Sequence, residues 1–389
     1  MKILHISATD NGGAGLAALR LHNSLLKAGV DSKMLVAHKF SYSDDVFVAR
    51  STKNLHFVKA KLSQMKIKRI RDLYNIFYSS PISAYDLTNN PLVIQADVIH
   101  LHWIAGFVDY KSFFPKINKP IVWTFHDDNA FLGGFHYSSV KQMFYSSLKK
   151  IEDKFCKIKY QSIKSASNLS LVAISDEMKS KMLSSELFGS SKIFKIHNSV
   201  DQEIFDIKDK TSARHILNIS HKSVFLFVSV YLHDQRKGLN LAIEALEKLN
   251  IPDSVLFCVG LGKMPVSDKI KISKIDSVPA EILPLFYSAA DFLLFPSSEE
   301  TFAQTPLEAF ASGTPVIMFP ISGADQQIND SNGVICKDFT VDSFAEGIKT
   351  ALNRVYNAAS VRQDIINRFN PQKIAEQYLN VYQEVADLH

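Results

Sequence analysis

Only three of the 389 residues are cysteine, Cys156, Cys258 and Cys336, and none stands in a CxxC or other metal-ligand spacing. That removes a disulfide framework and a thiolate metal centre from the classes to consider, and it fits a reducing compartment. No apolar run reaches membrane-spanning length, and the first stretch, Met1-Lys2-Ile3-Leu4-His5-Ile6-Ser7, is too short for a signal peptide. Tandem repeats and low-complexity tracts are absent too. The expectation is a soluble, cytoplasmic protein.

What is present is core-forming material: 46% hydrophobic against 21% charged residues, in a length that predicts two or three domains. The net charge of +5 conceals an asymmetry. Residues 1–190 hold 25 Lys and Arg against 15 Asp and Glu, or +10; the remainder holds 19 against 24, or −5. Lys53, Lys59, Lys61, Lys66, Lys68, Arg69 and Arg71 carry much of the excess, interleaved with Phe57, Val58, Leu62, Met65, Ile67, Ile70, Leu73, Ile76 and Phe77. The spacing predicts a basic amphipathic helix or helix pair. An ordinary solvated face is the commoner use of such a segment; docking onto an anionic membrane surface or a phosphate-bearing acceptor is the alternative. No nucleic-acid recognition motif accompanies the charge.

Short apolar runs alternate with helical stretches throughout. They are Lys2–Ile6, Lys33–Val36, Val98–Leu101, Ile121–Thr124, Leu169–Ala173 and Ile193–His197, then Val224–Val230, Val255–Val259, Phe292–Phe295, Val316–Met318 and Gly333–Ile335. Continuous apolar strands separated by amphipathic helices predict parallel sheets covered on both faces. Eleven are too many for one doubly wound sheet, so two α/β domains are expected, divided near the polar stretch Phe205–Lys222. The last helix, Pro371 to Leu388, carries Ile374, Tyr378, Val381, Tyr382 and Val385 on one stripe.

Ligands of open α/β sheets bind beyond the carboxyl ends of the strands, and the candidate motifs stand there. Glu300 and Glu308, with seven residues between them, straddle a turn between an apolar strand and a short helix expected from Leu307 to Ser312. A helix amino terminus offers N–H groups to an anion, and the carboxylates can hold sugar and ribose hydroxyls. Thr305-Pro306-Leu307-Glu308 serves equally well as a capping box with Pro at the first helical position. Gly12-Gly13-Ala14-Gly15 opens a helix after the first strand and lets backbone N–H groups approach a phosphate or sugar; a mere tight turn is the alternative. Arg236-Lys237-Gly238 opens another helix, with two cations placed for a pyrophosphate. His100 and His102 end one strand and His126 the next. They lack a residue to complete a zinc set, so no metal is expected. A flexible loop is expected at Gly133-Gly134.

In combination these residues resemble a known family. Phe295-Pro296-Ser297…Glu300-x-Phe302…Glu308-Ala309-Phe310-Ala311-Ser312-Gly313-Thr314-Pro315-Val316 is similar to the signature of retaining glycosyltransferases of family 4. Asp97-Val98-Ile99-His100-Leu101-His102-Trp103 and Trp123-Thr124-Phe125-His126-Asp127-Asp128…Gly133-Gly134-Phe135-His136-Tyr137 resemble the branch that builds colanic acid and other bacterial exopolysaccharides or O-antigens. His197-Asn198-Ser199-Val200-Asp201…Phe205 is similar to the linker of that family, and Asn370-Pro371…Tyr378…Tyr382 to its closing helix.

The resemblance implies a GT-B fold, two Rossmann-like domains facing a cleft. It implies an acceptor-side domain over residues 1–205 with a crossover helix at 371–389, and a nucleotide-sugar domain over 206–370. It implies transfer of a hexose from a UDP- or GDP-type donor to a glycan acceptor, lipid-linked, with no cofactor. Glu308 would hold the ribose, and Glu300 with the backbone of Phe302, Ala303 and Gln304 the donor sugar. Arg236 and Lys237 would neutralise the departing diphosphate, His126 would line the sugar pocket, and Gly12 and Gly13 would sit under phosphates or acceptor. The chain has no D-x-D for a divalent ion. It departs from the family pattern at Thr301 and Ala303, where glycines are usual, at Val230-Tyr231-Leu232, which lacks the usual arginine, and at Phe135, where cysteine is frequent. A nucleotide-sugar-binding protein without catalysis and an epimerase of the same fold are the competing readings.

Overall fold

All eleven apolar runs are strands, and two further strands lie at sheet edges. The computed structural model describes residues 1–51 and 55–387, the side chains at 55–57 and 59 excepted. The chain divides into two units, Met1–His197 with Gln372–His389, and Asn198–Pro371.

The first unit holds β1 (Lys2–Thr9), β2 (Asp31–His38), β3 (Val46–Val48), β4 (Val98–Leu101), β5 (Ile121–Phe125), β6 (Leu169–Ala173) and β7 (Lys192–Lys195). They form one sheet in the order β3-β2-β1-β4-β5-β6-β7, every pair parallel. β4 and β5 are buried along their whole length, as expected of strands covered by helices on both faces. The second unit holds β8 (Ser223–Tyr231), β9 (Ser254–Leu261), β10 (Lys271–Ile275), β11 (Phe292–Phe295), β12 (Val316–Met318) and β13 (Gly333–Ile335), in the all-parallel order β10-β9-β8-β11-β12-β13. In each sheet the winding reverses beside its first strand, between β1 and β4 and between β8 and β11. At such a switch point the flanking helices diverge and leave a crevice for ligands.

The closing helix Pro371–Ala386 belongs to the first unit. Ile374, Tyr378, Val381, Tyr382 and Val385 are buried in one cluster with Ile3, Leu21, Leu25, Val98, Val122, Val172 and Ile196. The last helix of the chain thus covers one face of a sheet that begins at residue 2.

The basic segment forms a single helix, Leu55–Tyr74. Ile67 and Ile70 turn into the core, whereas Val58, Leu62, Met65 and Leu73 are 53%, 62%, 63% and 71% exposed. Lys61, Lys66, Lys68, Arg69 and Arg71 are exposed beside them. Lys53 and the side chains of Phe57 and Lys59 lie outside the described residues. Among the described residues no helix is long and apolar enough to cross a membrane.

Candidate functional site

In the second unit, the two loops leaving β8 and β11 meet at the switch point. After β8 the chain makes one 3-10 turn, Gln235–Lys237, capped by the Asp234 side chain, which accepts from the Arg236 N–H at 3.0 Å. Gly238 then takes φ +74°, and a Cβ there would run into the Pro296 carbonyl oxygen on the loop after β11. Glycine is needed for both reasons. The close approach aims the residues before Gly238 at Glu300. Lys237 Nζ is paired with the Glu300 carboxylate, Arg236 Nη1 lies 3.3 Å from it, and Ser297 Oγ donates to it at 2.8 Å. Arg236 also donates to the Glu299 carbonyl at 2.8 Å and to Asp234 at 3.0 Å.

The Glu300 side chain is 13% exposed. Burial raises its pKa, but Lys237, Arg236 and the hydrogen bonds outweigh this and hold it below the ordinary range. The carboxylate is therefore charged at neutral pH, in a site carrying two cations.

The helix that follows differs from the expected one. It runs Gln304–Ala311, three residues earlier, and its N-cap is Ala303, which has no side chain to cap with. Thr305 lies inside the first turn, so the capping box is not formed. Glu308 falls in the second turn, 9% exposed, with the Tyr287 hydroxyl donating to Oε2 at 3.3 Å. Phe302, Ala303 and Gln304 lead directly from Glu300 into the helix. Ser312 ends it, and Gly313 follows at φ +78°.

In the first unit, Gly12 and Gly13 open the helix Gly12–Lys27 directly after β1, capped by Asn11. Beyond the ends of β4 and β5, Asp127 collects hydrogen bonds. Trp103 Nε1–H donates to it at 2.9 Å and His136 Nδ1–H at 2.6 Å. The carboxyl is buried, which raises its pKa, yet His136 and these bonds bring it below the usual range.

The Gly133-Gly134 loop is held rather than flexible. Glu152 accepts from both backbone N–H groups at 2.7 Å and from the Tyr78 hydroxyl at 2.9 Å. A Cβ on Gly133 would collide with Glu152, and one on Gly134 with the Tyr78 ring.

The histidines are more numerous in space than the sequence motifs indicate. His5 on β1 joins His100 and His102, each offering a ring nitrogen within 4.8 Å of the others. His126 stacks beyond His102, ring centroids 5.4 Å apart. His100 bonds Tyr382 OH at 2.7 Å and Thr124 Oγ1 at 2.8 Å. His102 bonds His5 and His126. Both nitrogens of His100 and of His102 are thus engaged in hydrogen bonds. His5 escaped notice because β1 reads as an apolar run; the parallel register pairing His5 with His100 is what brings it in.

The sequence-predicted residues therefore fall into two groups. Arg236, Lys237 and Glu300 converge in the second unit, with Phe302 and Ala303 leading into the adjoining helix and Gln304 and Glu308 on it. His126, Gly12 and Gly13 stand at the carboxyl ends of β5 and β1 in the first.

The family model for Glycosyl transferases group 1 matches residues 209–368. An uncharacterised glycosyltransferase of Methanocaldococcus jannaschii is 24% identical over 317 residues, 76% of this chain and 77% of the relative. The O-antigen chain mannosyltransferase RfbU of Salmonella typhimurium is 25% identical, over 57% of this chain and 61% of its own length. Among solved structures, sucrose-phosphate synthase from Thermosynechococcus elongatus superposes with a TM-score of 0.70 at 17% identity, covering 100% of both chains. HepE of Anabaena, in complex with UDP-glucose, superposes at 0.67 and 16%, covering 99% of this chain and 100% of HepE. These likenesses give the fold as GT-B, and the family match together with the relatives supports a glycosyltransferase.

Proposed function

We propose that this glycosyltransferase is retaining and metal-independent, and that it moves a hexose from a UDP- or GDP-type sugar to a glycan acceptor. The acceptor is lipid-linked, in bacterial surface polysaccharide synthesis at the cytoplasmic face of the membrane. One observation carries the reading: Arg236, Lys237 and Glu300 converge at the β8/β11 switch point, where a parallel sheet takes its ligands. A departing diphosphate needs preorganised positive charge, and the two cations supply it without a divalent ion. The bond from the anomeric carbon to the phosphate oxygen breaks as the acceptor oxygen bonds to the same face. The acceptor proton passes to the leaving phosphate oxygen, so no protein base is required. Glu300, kept anionic, accepts from sugar hydroxyls, and Glu308 from the ribose. His126, Gly12 and Gly13 serve the sugar and acceptor side.

Support for a nucleotide sugar as donor comes from HepE, which binds UDP-glucose; support for a surface glycan comes from the O-antigen transferase. The test is thermal stabilisation by UDP, GDP, ADP and their sugars, in EDTA. Stabilisation by one diphosphate series, lost in Glu308→Ala and Lys237→Ala, is the expected result. Turnover by Lys237→Ala should fall roughly 100- to 1000-fold, the usual cost of removing one preorganised charge-stabilising group. No shift with any nucleotide overturns the reading.

A binder without turnover is the second reading, favoured by one feature: both cations are already paired with Asp234 and Glu300. Slow donor hydrolysis without acceptor separates the two, since a binder gives none.

A further inference from the structure

Three imidazoles of the first unit form a row. His5 Nδ1 lies 2.9 Å from His102 Nε2, and His102 Nδ1 lies 3.2 Å from His126 Nε2. His5 and His102 are buried and His126 partly so. Burial holds all three rings neutral at pH 7: it lowers the pKa of His5 and His102 well below the ordinary value, and that of His126 to about 4 against the pull of Asp127.

A neutral imidazole has one N–H and one bare nitrogen. The tautomer of one ring therefore dictates the next, and the row has two arrangements. In the inward one, His126 Nε2–H donates to His102, His102 Nε2–H donates to His5, and the last proton sits on His5 Nε2. In the outward one, every ring donates from Nδ1, His5 Nε2 is bare, and the last proton sits on His126 Nδ1. His5 Nε2 is buried with no hydrogen-bond partner among the described residues. Stranded buried N–H groups are rarer in proteins than stranded acceptors, so the bare nitrogen is the less costly inner terminus.

We propose that the row runs outward, so that His5, acting through His102, fixes His126 as a neutral ring with its proton on Nδ1. His126 then offers its neighbours a hydrogen-bond donor at Nδ1, suited to a sugar hydroxyl or phosphate oxygen, and cannot take a proton there. His5 and His102 are positioning residues. The importance of this for catalysis rests on the reading of His126 as lining the sugar pocket; the tautomer itself does not.

The test is long-range proton–nitrogen correlation on the full chain with nitrogen-15 histidine at pH 7, with His126 assigned by its loss in His126→Gln. The expected spectrum shows protonated Nδ1 and bare Nε2 for His126. His5→Asn, whose amide N–H replaces the Nδ1–H, retains that pattern. His5→Leu, which offers nothing to His102 Nε2, gives mixed or averaged shifts at His126. Protonated Nε2 at His126 in the unsubstituted chain overturns the proposal, as does an unchanged His126 pattern in folded His5→Leu. If His5→Leu does not fold, the unsubstituted chain and His5→Asn still decide. No nucleotide is present, so failure of the donor-site reading leaves this result standing.

Discussion

At the residue scale, Glu300 shows how one side chain answers to opposing forces. Burial penalises its charge, and two cations with a serine hydroxyl more than repay the penalty. A carboxyl whose folded pKa lies below its unfolded value, about 4.3 for glutamate, stabilises the fold above that value. The contribution disappears as pH falls through the folded pKa. Glu300→Gln should therefore lose less stability than the unsubstituted chain on acidification below about pH 4.3, read as melting temperature against pH. Equal slopes would mean that the carboxylate is solvated or unpaired. Glu300, Lys237 and Arg236 were legible in the sequence because strand ends and turn glycines advertise a switch point. His5 was not, since nothing in an apolar strand marks which of its residues faces a histidine two strands' worth of chain away.

At the element scale, the two strands that escaped the sequence reading are both edges. β3 has three residues, and β10, Lys271-Ile272-Ser273-Lys274-Ile275, has only two apolar residues, Ile272 and Ile275. Edge strands are kept short or charged because an open edge invites foreign pairing; β3, Val46-Phe47-Val48, is short and β10 is broken by polar residues. The helix after Glu300 begins early for a related reason: with no capping side chain at Ala303, local sequence does not fix its start. The closing helix was legible from its stripe as far as Ala386, the expected end at Leu388 lying outside the described residues, but its polar contacts were not. Tyr382 OH bonds the buried His100 and Tyr378 OH bonds Thr124 at 3.0 Å. Tyr382→Phe leaves His100 Nδ1 without that partner and should destabilise the first unit by about 1–3 kcal/mol. Chemical denaturation measures this; a change under about 0.5 kcal/mol would show that water replaces the hydroxyl.

At the scale of the whole molecule, the basic helix Leu55–Tyr74 combines exposed Val58, Leu62, Met65 and Leu73 with exposed lysines and arginine. Apolar side chains among cations suit an anionic lipid surface. Replacing Lys61, Lys66, Lys68 and Arg69 with glutamate should abolish sedimentation with phosphatidylglycerol vesicles, and the unsubstituted chain should release them as salt rises. Undiminished sedimentation of the variant would remove the membrane role. The division of the chain has a different consequence, for its synthesis. The second unit is one uninterrupted stretch, Asn198–Pro371, whereas the first is finished only by Gln372–His389. While the ribosome is still at work, Ile3, Val98 and Val122 have no Tyr378 or Tyr382 to cover them. The half translated first is therefore completed only after the second unit has been made, once the closing helix has emerged from the exit tunnel. Until that helix is available, a sticky nascent surface stands open to chaperones and to other nascent chains.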